Sequence, residues 1–362
     1  MRMLSETYNL YITPLTPLHV GSGEEINPGE YFVFETDDGP VLYVIDMGYL
    51  AGKLAKGREK LVEWIESEPI GWVKRVHAST ALTDMVKKYA RFECDLTHRV
   101  AEAIEHRWGQ PESRLGVRML QRPGGHAIVP GSSIKGAIRT ALLWNAARKP
   151  LRVPDDKRGR AVAEWERKAL GGSSEKIEDD PLRHLKISDA PAPGVRTIVF
   201  DTQHVGMKTA AGQQAELQDY RECLPDTLGE LPNYTIIARL QIESGHPHYR
   251  RERLKLSARG ILDACRSFYM SAFKADAQYW EGDSEMAPIL DEIRDRIAAE
   301  PESALVRLGW GCGMDAISLN LAKAQGKHPP RRIDPRFEYA PATRRLIDNV
   351  PPGWALIRLE SA

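Results

Sequence analysis

The stretch IVPGSSIKGAIRTALL, Ile128–Leu143, joins a proline–glycine turn directly to an amphipathic helix. Ile134, Ile138 and Leu142 recur at every fourth residue, which places them on one face of a helix with 3.6 residues per turn. The stretch therefore predicts a helix that begins immediately after the turn and buries one apolar face.

Basic residues surround the start of this helix. Lys135 and Arg139 lie four residues apart on a stripe that can face outward. A hydroxyl of Ser132 or Ser133 can cap the helix by accepting from a free N–H group of the first turn. From Arg114 to Pro150 the chain carries seven Lys or Arg and no Asp or Glu. Free N–H groups, the positive end of the helix dipole and two cations together predict a phosphate site, with RNA as the partner.

The composition bounds the class of protein. Lys+Arg and Asp+Glu number 50 each in 362 residues, so nucleic-acid binding has to come from local patches. This length suits two domains of ordinary size. No apolar run approaches the roughly 20 residues of a membrane helix, and the first residues lack the apolar core of a signal peptide. Four widely spaced cysteines without a C-x-x-C pair predict reduced thiols in a cytoplasmic protein.

Strand-like and helix-like segments alternate irregularly along the chain. The first strand is expected to leave its sheet near Pro14 or Pro17, and a hairpin follows around Asp37–Pro40. Further strands are expected at Leu182–Ala190, Arg196–Gly206, Tyr234–Glu243 and Gly353–Glu360. Helices are expected at Tyr49–Ile65, over much of Ser79–Trp108, and near Ser257–Trp280 and Ser284–Glu300. Strands that return to a sheet between helices favour an α+β fold, with charged Arg152–Asp180 as an exposed insertion.

Two catalytic interpretations of the central stretch lack required residues. Gly131–Ile138 has the glycine spacing of a P-loop, but Ala-Ile replaces the Lys-Ser/Thr pair that contacts phosphate and magnesium. Ser132–Lys135 matches the S-x-x-K of penicillin-binding proteins. Its companions, Ser188–Ala190 for S-D-N and Lys208–Ala210 for K-T-G, both miss their last residue. Neither ATP hydrolysis nor serine acyl-transfer is expected.

A second glycine-rich turn, LGWGCGMD, begins at Leu308. Alternate glycines at Gly309, Gly311 and Gly313 let a backbone approach a phosphate or another backbone closely. Trp310 either stacks on an RNA base or belongs to the core.

His19 stands before Gly21 and Gly23 in TPLHVGSGEE, at the expected end of the first strand. There it either contacts RNA or pins the loop. The pairs Cys94–His98 and His246–His248 could each offer two metal ligands, but neither has a companion pair at zinc-site spacing. No metal or other cofactor is expected.

Three segments together resemble a known family. TPLHVGSGEEI followed by a hairpin, PGSSIKGAIRTALL, and the R-x-G-x-G-x-G turn at Arg307–Gly313 are similar to the RAMP proteins of type III CRISPR effectors. More narrowly, they resemble the fifth-subunit family of the type III-A (Csm) complex. The end of the chain, with an Arg-Arg pair before a Gly-Trp strand, is similar to the same family. The matches extend from near residue 13 to the C-terminus.

The resemblance implies two ferredoxin-like (RRM/RAMP-type) modules with helical and loop insertions. From strand order we divide them into residues 1–230 and 231–362, with the glycine-rich loop in the second. It also implies a non-catalytic crRNA-binding subunit that stacks on the backbone RAMP subunits and caps the crRNA 3′ end. Such a subunit supports 3′ maturation by recruiting host nucleases, and target RNA is a further partner. The RNA contacts carried over by position are Gly131, Ser132, Ser133, Lys135, Arg139, Gly309, Gly311 and Gly313, joined by Trp310 within the turn and by His19, Gly21 and Gly23 in the opening motif.

A second hypothesis is a metal-independent RAMP endoribonuclease that processes crRNA. His19 would then act as general base with a nearby lysine or serine. The fold does not exclude this activity, because RAMP relatives include processing enzymes. The matched motifs contain no second histidine or tyrosine to serve as its partner.

Overall fold

The computed structural model describes most of the chain in segments. These are residues 5–53, 59, 63, 69–108, 115–147, 164, 166–171, 180–206, 219–228, 234–243, 256–317 and 343–362. The described helices are α1 (Met47–Lys53), α2 (Pro69–His77), α3 (Thr80–Tyr89), α4 (His98–Arg107), α5 (Gly131–Ala147), α6 (Ala258–Tyr279), α7 (Met286–Ala299) and α8 (Gly313–Ile317). The first eight strands are β1 (Ser5–Pro14), β2 (Gly21–Ile26), β3 (Tyr31–Thr36), β4 (Gly39–Val44), β5 (Phe92–Leu96), β6 (Val117–Leu120), β7 (Ile128–Val129) and β8 (Leu185–Ile187). The others are β9 (Ala190–Pro191), β10 (Ile198–Val205), β11 (Asp219–Cys223), β12 (Ile236–Glu243), β13 (Ala304–Arg307), β14 (Arg344–Ile347) and β15 (Trp354–Ser361).

A five-stranded antiparallel sheet contains the first ferredoxin-like module. Its spatial order is β13-β15-β1-β12-β8. Along the chain the module runs β1, α5, β8, β12, α6, β15, which is the βαββαβ order of a ferredoxin-like fold. Helices α5 and α6 pack together, and the Trp144 ring lies 5.7 Å from the Phe268 ring. The α+β class and the ferredoxin-like module are confirmed.

The apolar face predicted for the central helix is also confirmed. Ile134, Ile138 and Leu142 are all buried in the main hydrophobic core. They join Leu10 and Ile12 of β1, which are completely buried. Helix α5 is therefore fixed against the sheet along its whole apolar stripe.

The second sheet has eight strands, in the order β2-β6-β11-β10-β5-β4-β3, with β14 also paired to β10. The predicted hairpin is confirmed as β3 and β4, paired from Tyr31↔Val44 to Thr36↔Gly39. Helices α2 and α3 cover it, and the Trp72 ring meets Phe32 edge-on at 5.8 Å. This sheet carries the opening motif at its β2 edge.

Three predicted elements differ from the observed ones. Ser79–Trp108 is not one helical region, because β5 separates α3 from α4 and pairs in parallel with β10. Leu182–Ala190 begins as a 3-10 turn and contains the short strand β8. Of the helix predicted at Tyr49–Ile65, α1 ends at Lys53 and most of the remainder lies outside the described residues. Strand pairing with distant segments overrides local helix propensity in such places.

Neither sheet is confined to one side of the predicted boundary between residues 230 and 231. In the first sheet, β1 lies between β12 and β15. In the second, β14 pairs with β10 through Thr202↔Ile347. The order of strands along the chain does not predict which strands become neighbours in a sheet, because strands far apart in sequence pair with each other.

Most of the charged Arg152–Asp180 segment lies outside the described residues, so its expected exposure stays a prediction. None of the helices in the described ranges is long and apolar enough to cross a membrane.

Candidate nucleic-acid interface

The structure brings the three motif segments together around one open cleft of about 450 Å³. Gly21 represents the opening motif, and Ser133, Gly136 and Thr140 represent helix α5. The glycine-rich turn contributes Arg307–Trp310 and Cys312, and the wall is completed by Val20, Ala137, Tyr269, Ala316 and Ile317. Segments that are more than 100 residues apart in sequence thus line one surface depression.

The glycine-rich turn packs directly on the opening motif. The backbone N–H of Trp310 donates to the His19 carbonyl oxygen at 2.8 Å. Gly309 has φ +81°, and a Cβ there would overlap the same carbonyl oxygen. Gly311 has the same φ, and its Cβ would lie 2.6 Å from Pro352 Cγ. Both glycines are therefore required by backbone packing, whatever the turn binds.

The other glycines of the motifs are less constrained. Gly23 and Gly313 have φ of +87° and +72°, and no heavy atom lies within 4 Å of an added Cβ. Gly23 lies where the register between β2 and β6 shifts, and Gly313 is the first residue of α8. Gly21 lies against the His19 side chain of the same opening motif, because an added Cβ would lie 2.8 Å from His19 Nε2.

The His19 side chain is buried, with 2% of its surface exposed. Its Nδ1 lies 2.7 Å from the Glu222 carbonyl oxygen. Burial lowers the pKa of His19 to about 4, so the imidazole is neutral at physiological pH. Of the two roles weighed for this residue, the geometry matches the histidine that pins the loop. None of the cleft-lining residues is a histidine.

The start of α5 is already bonded to a carboxylate of the chain. Asp189 Oδ1 accepts from the Gly131 N–H at 2.8 Å, and the Pro130 carbonyl accepts from Ser133 and Ile134. A Cβ on Gly131 would overlap the Ile187 carbonyl oxygen, so this glycine allows α5 to approach the segment after β8. In place of the predicted serine cap, a carboxylate 58 residues away in sequence accepts from the N–H group at the start of the helix.

Lys135 and Arg139 do not line the cleft, and both are half-buried and bonded within the chain rather than presented as a free cationic stripe; that they contact RNA stays a prediction. Arg139 is half-buried and pairs with Asp180 and Glu166, both at 3.0 Å. Lys135 Nζ donates to the Leu185 carbonyl at 2.9 Å, and burial lowers the pKa of its ammonium. Lys135 thus holds α5 to β8, and Arg139 holds it to two acids that precede β8. Ser133 and Thr140 line the cleft, and Ser132 is exposed.

Two arginines already lie over the indole of Trp310. The Arg221 guanidinium carbon is 3.8 Å from the ring centroid, and that of Arg345 is 4.9 Å away. The ring is half-buried and packs beside Phe200 and Ile347. The sequence left two roles open for Trp310, stacking on an RNA base or packing in the core. In the structure its ring lies at the edge of the cleft and makes cation–π contacts with two arginines.

A buried ionic network supports the turn, and sequence analysis missed its central residue. Asp276 of α6 accepts from Arg307 at 2.6 Å and from Arg344 at 3.1 Å. All three side chains are at least 94% buried. Asp315 lies 3.4 Å from Arg344 and extends the network to α8. Asp276 is one of two aspartates on α6, the other being Asp263, and nothing in the neighbouring sequence distinguishes its role.

The alternative chemistries find no support in the described residues. Asp189 of the S-D-N-like element caps α5, and Lys208–Ala210 lies outside the described ranges. In the described part of the chain, no three His, Cys, Asp or Glu side chains lie together as metal ligands would. The four cysteines are buried free thiols.

A family model described as the RAMP superfamily matches residues 11–313. The match spans most of the chain, so the chain belongs to the RAMP superfamily. Its fold and its three converging motifs are those of this class of protein.

The chain is similar to two proteins named CRISPR system Cms protein Csm5. The one from Methanocaldococcus jannaschii is 27% identical over 180 residues, which cover 49% of this chain and 41% of that protein. The one from Streptococcus thermophilus is 25% identical over 231 residues, which cover 60% of each chain. The matched segments thus span less than two thirds of these relatives. The resemblance to RAMP proteins and to the fifth Csm subunit is confirmed.

Two solved structures share the fold. One is a chain of a Csm–crRNA–target RNA ternary complex of a type III-A CRISPR-Cas system, with a TM-score of 0.67 and 18% identity. The match covers 98% of this chain and 100% of that chain. The other is the crystal structure of T. onnurineus Csm5, with a TM-score of 0.62, 18% identity, and coverage of 96% and 99%.

Proposed function

We propose that this chain is a crRNA-binding subunit of a type III-A (Csm) complex. In this role it stacks on the backbone RAMP subunits and caps the crRNA near its 3′ end. The observation that carries the proposal is the convergence of the three RAMP motif segments on one open cleft. The Csm5 names of the relatives and the crRNA-containing complex among the similar structures support it.

The cleft suits an RNA backbone better than a particular base sequence. Its polar groups include the hydroxyls of Ser133 and Thr140 and the peptide groups of the glycine-rich turn, while the guanidinium of Arg307 in its wall is paired with Asp276. A crRNA carries different spacers, so its subunits have to hold phosphate and ribose rather than read base edges. The apolar part of the wall, including Ile317, can cover a ribose or an unstacked base.

The same proposal assigns 3′ maturation to nucleases that the complex recruits. The endoribonuclease alternative needs a solvent-accessible base, and His19 is buried and hydrogen-bonded to the Glu222 carbonyl. Burial also holds the pKa of its imidazole near 4, far below the value that suits a base near pH 7.

Co-expression of the tagged chain with the other Csm subunits and a CRISPR array tests the proposal. We expect discrete spacer-containing RNAs to co-purify with the assembled complex. Absence of both crRNA and partner subunits would refute the proposed function.

A matched pair of glycine variants tests the cleft itself. Gly136→Asp introduces a negative charge at the cleft, and Gly52→Asp introduces one on α1; both glycines are exposed, and an added Cβ meets nothing within 4 Å. We expect the first variant to retain less crRNA or to shift its 3′ length, and the second to match the parent. Equal RNA profiles for both would show that the cleft does not hold RNA.

A further inference from the structure

Three arginines gather on one face of the eight-stranded sheet. Arg118 of β6 stands directly opposite Arg221 of β11, and Arg221 also stands opposite Phe200 of β10. Arg345 of β14 stands opposite His204 of β10. Cross-strand partners project to the same face of a sheet. Four neighbouring strands therefore present these side chains together.

Trp310 links this arginine face to the cleft. Its ring lies under the guanidinium groups of Arg221 and Arg345 and meets the His204 ring at 6.0 Å. The same residue lines the cleft. A Cβ on Gly311 would lie 3.6 Å from Arg345 Cβ, so the glycine-rich turn also rests against this arginine. The arginine face is thus continuous with the proposed RNA site.

Charge compensation differs sharply among the arginines. Arg118 pairs with Glu25 at 3.0 Å and Asp219 at 3.3 Å, and Arg221 pairs with Asp219 as well. Arg307, within the cleft wall, is paired with Asp276. Arg345 is exposed, and in the described part of the chain it has no carboxylate partner.

We propose that Arg345, held over Trp310 beside the glycine-rich turn, binds an RNA phosphate where the RNA strand leaves the cleft. This inference rests on the proposed function and extends the RNA site onto the eight-stranded sheet. A phosphodiester matches the site because an uncompensated guanidinium binds phosphate oxygens through paired N–H donors. The indole beneath the guanidinium holds this side chain near one orientation, and no carboxylate of the described residues occupies its N–H donors.

Fluorescence anisotropy of the full chain with labelled single-stranded RNA, measured over a series of salt concentrations, tests this assignment. Arg345→Ala is compared with Arg345→Lys and with Arg239→Ala. Arg239 is a matched control, because it is exposed on β12 of the other sheet and has no carboxylate partner in the described residues. All three changes are at exposed side chains, so they leave the core intact.

We expect Arg345→Ala to weaken RNA binding about tenfold, a loss of about 1.4 kcal/mol. The slope of log K against log salt should fall by about 0.7, the value of one phosphate contact on a single strand. Arg345→Lys should keep the parental slope with a smaller loss of affinity, and Arg239→Ala should match the parent.

Two results would overturn the assignment while leaving the proposed function in place. One is an unchanged RNA affinity and an unchanged salt slope for Arg345→Ala. If this variant keeps its RNA affinity but no longer assembles with a partner subunit, the assignment is overturned as well. The other is an equal loss for Arg239→Ala, which would indicate diffuse attraction. If the parental chain itself fails to bind RNA alone and in the assembled complex, the proposed function fails together with this inference.

Discussion

Replacing Asp276 by alanine removes the carboxylate that two buried arginines share. Arg307 and Arg344 have 4% and 6% of their side-chain surfaces exposed, and each would lose the carboxylate of Asp276, while Arg344 would keep Asp315 at 3.4 Å. Removing one partner of a buried ion pair costs about 3–5 kcal/mol. At about 2–4 °C per kcal/mol for a domain of 150–250 residues, the melting temperature should fall by roughly 6–20 °C.

Thermal unfolding monitored by circular dichroism measures this effect. Asp276→Asn keeps an acceptor oxygen without the charge, so we expect a smaller fall. Asp291→Ala is the control, since this exposed aspartate pairs with Arg294 at the surface and such pairs contribute about 0–1 kcal/mol. A fall for Asp276→Ala no larger than that for Asp291→Ala would refute the view that this network holds the glycine-rich turn.

Three further predictions concern the motif residues. Gly309→Ala should destabilise the chain by several kcal/mol, because at φ +81° the new Cβ would overlap the His19 carbonyl oxygen. Gly313→Ala has open space around its Cβ and should cost about 1–2 kcal/mol. Equal urea midpoints for the two variants would contradict this. Burial lowers the pKa of His19 from 6.5 to about 4, so its contribution to stability is complete above pH 6.5 and is lost, by up to about 3 kcal/mol, as the pH falls toward 4. His19→Asn should remove that acid-side slope, and an unchanged slope would disprove the assignment. Arg139→Ala should lower the melting temperature, because it removes the cation that pairs with Asp180 and Glu166. The salt slope of RNA binding should stay unchanged; a slope lowered by about 0.7 would show a phosphate contact instead.

Local pattern sufficed for much of the fold. The four-residue spacing of Ile134, Ile138 and Leu142 predicted the buried face of α5, and the Asp37–Pro40 turn predicted the hairpin of β3 and β4. Both signals are short-range, because side-chain periodicity and turn chemistry depend on neighbouring residues. The resemblance of the three motifs added the ferredoxin-like module and the RAMP family.

The tertiary structure decided which side chains are free to act. From the sequence, Lys135 and Arg139 are two cations near the start of a helix whose first N–H groups are predicted to bind a phosphate. In the folded chain, Asp189, Asp180 and Glu166 supply the opposite charges.

The sequence by itself determined the buried face of α5, the glycine turns and the family of this chain, because each is encoded in a contiguous pattern. Only the tertiary structure showed that Arg345 is exposed beside Trp310 and that Asp276 joins Arg307 to Arg344. The physical reason is that charge compensation depends on which segments meet in the folded chain. Asp276 is 31 and 68 positions from its two arginines, and Arg345 stands opposite His204 through strand pairing over more than 100 positions.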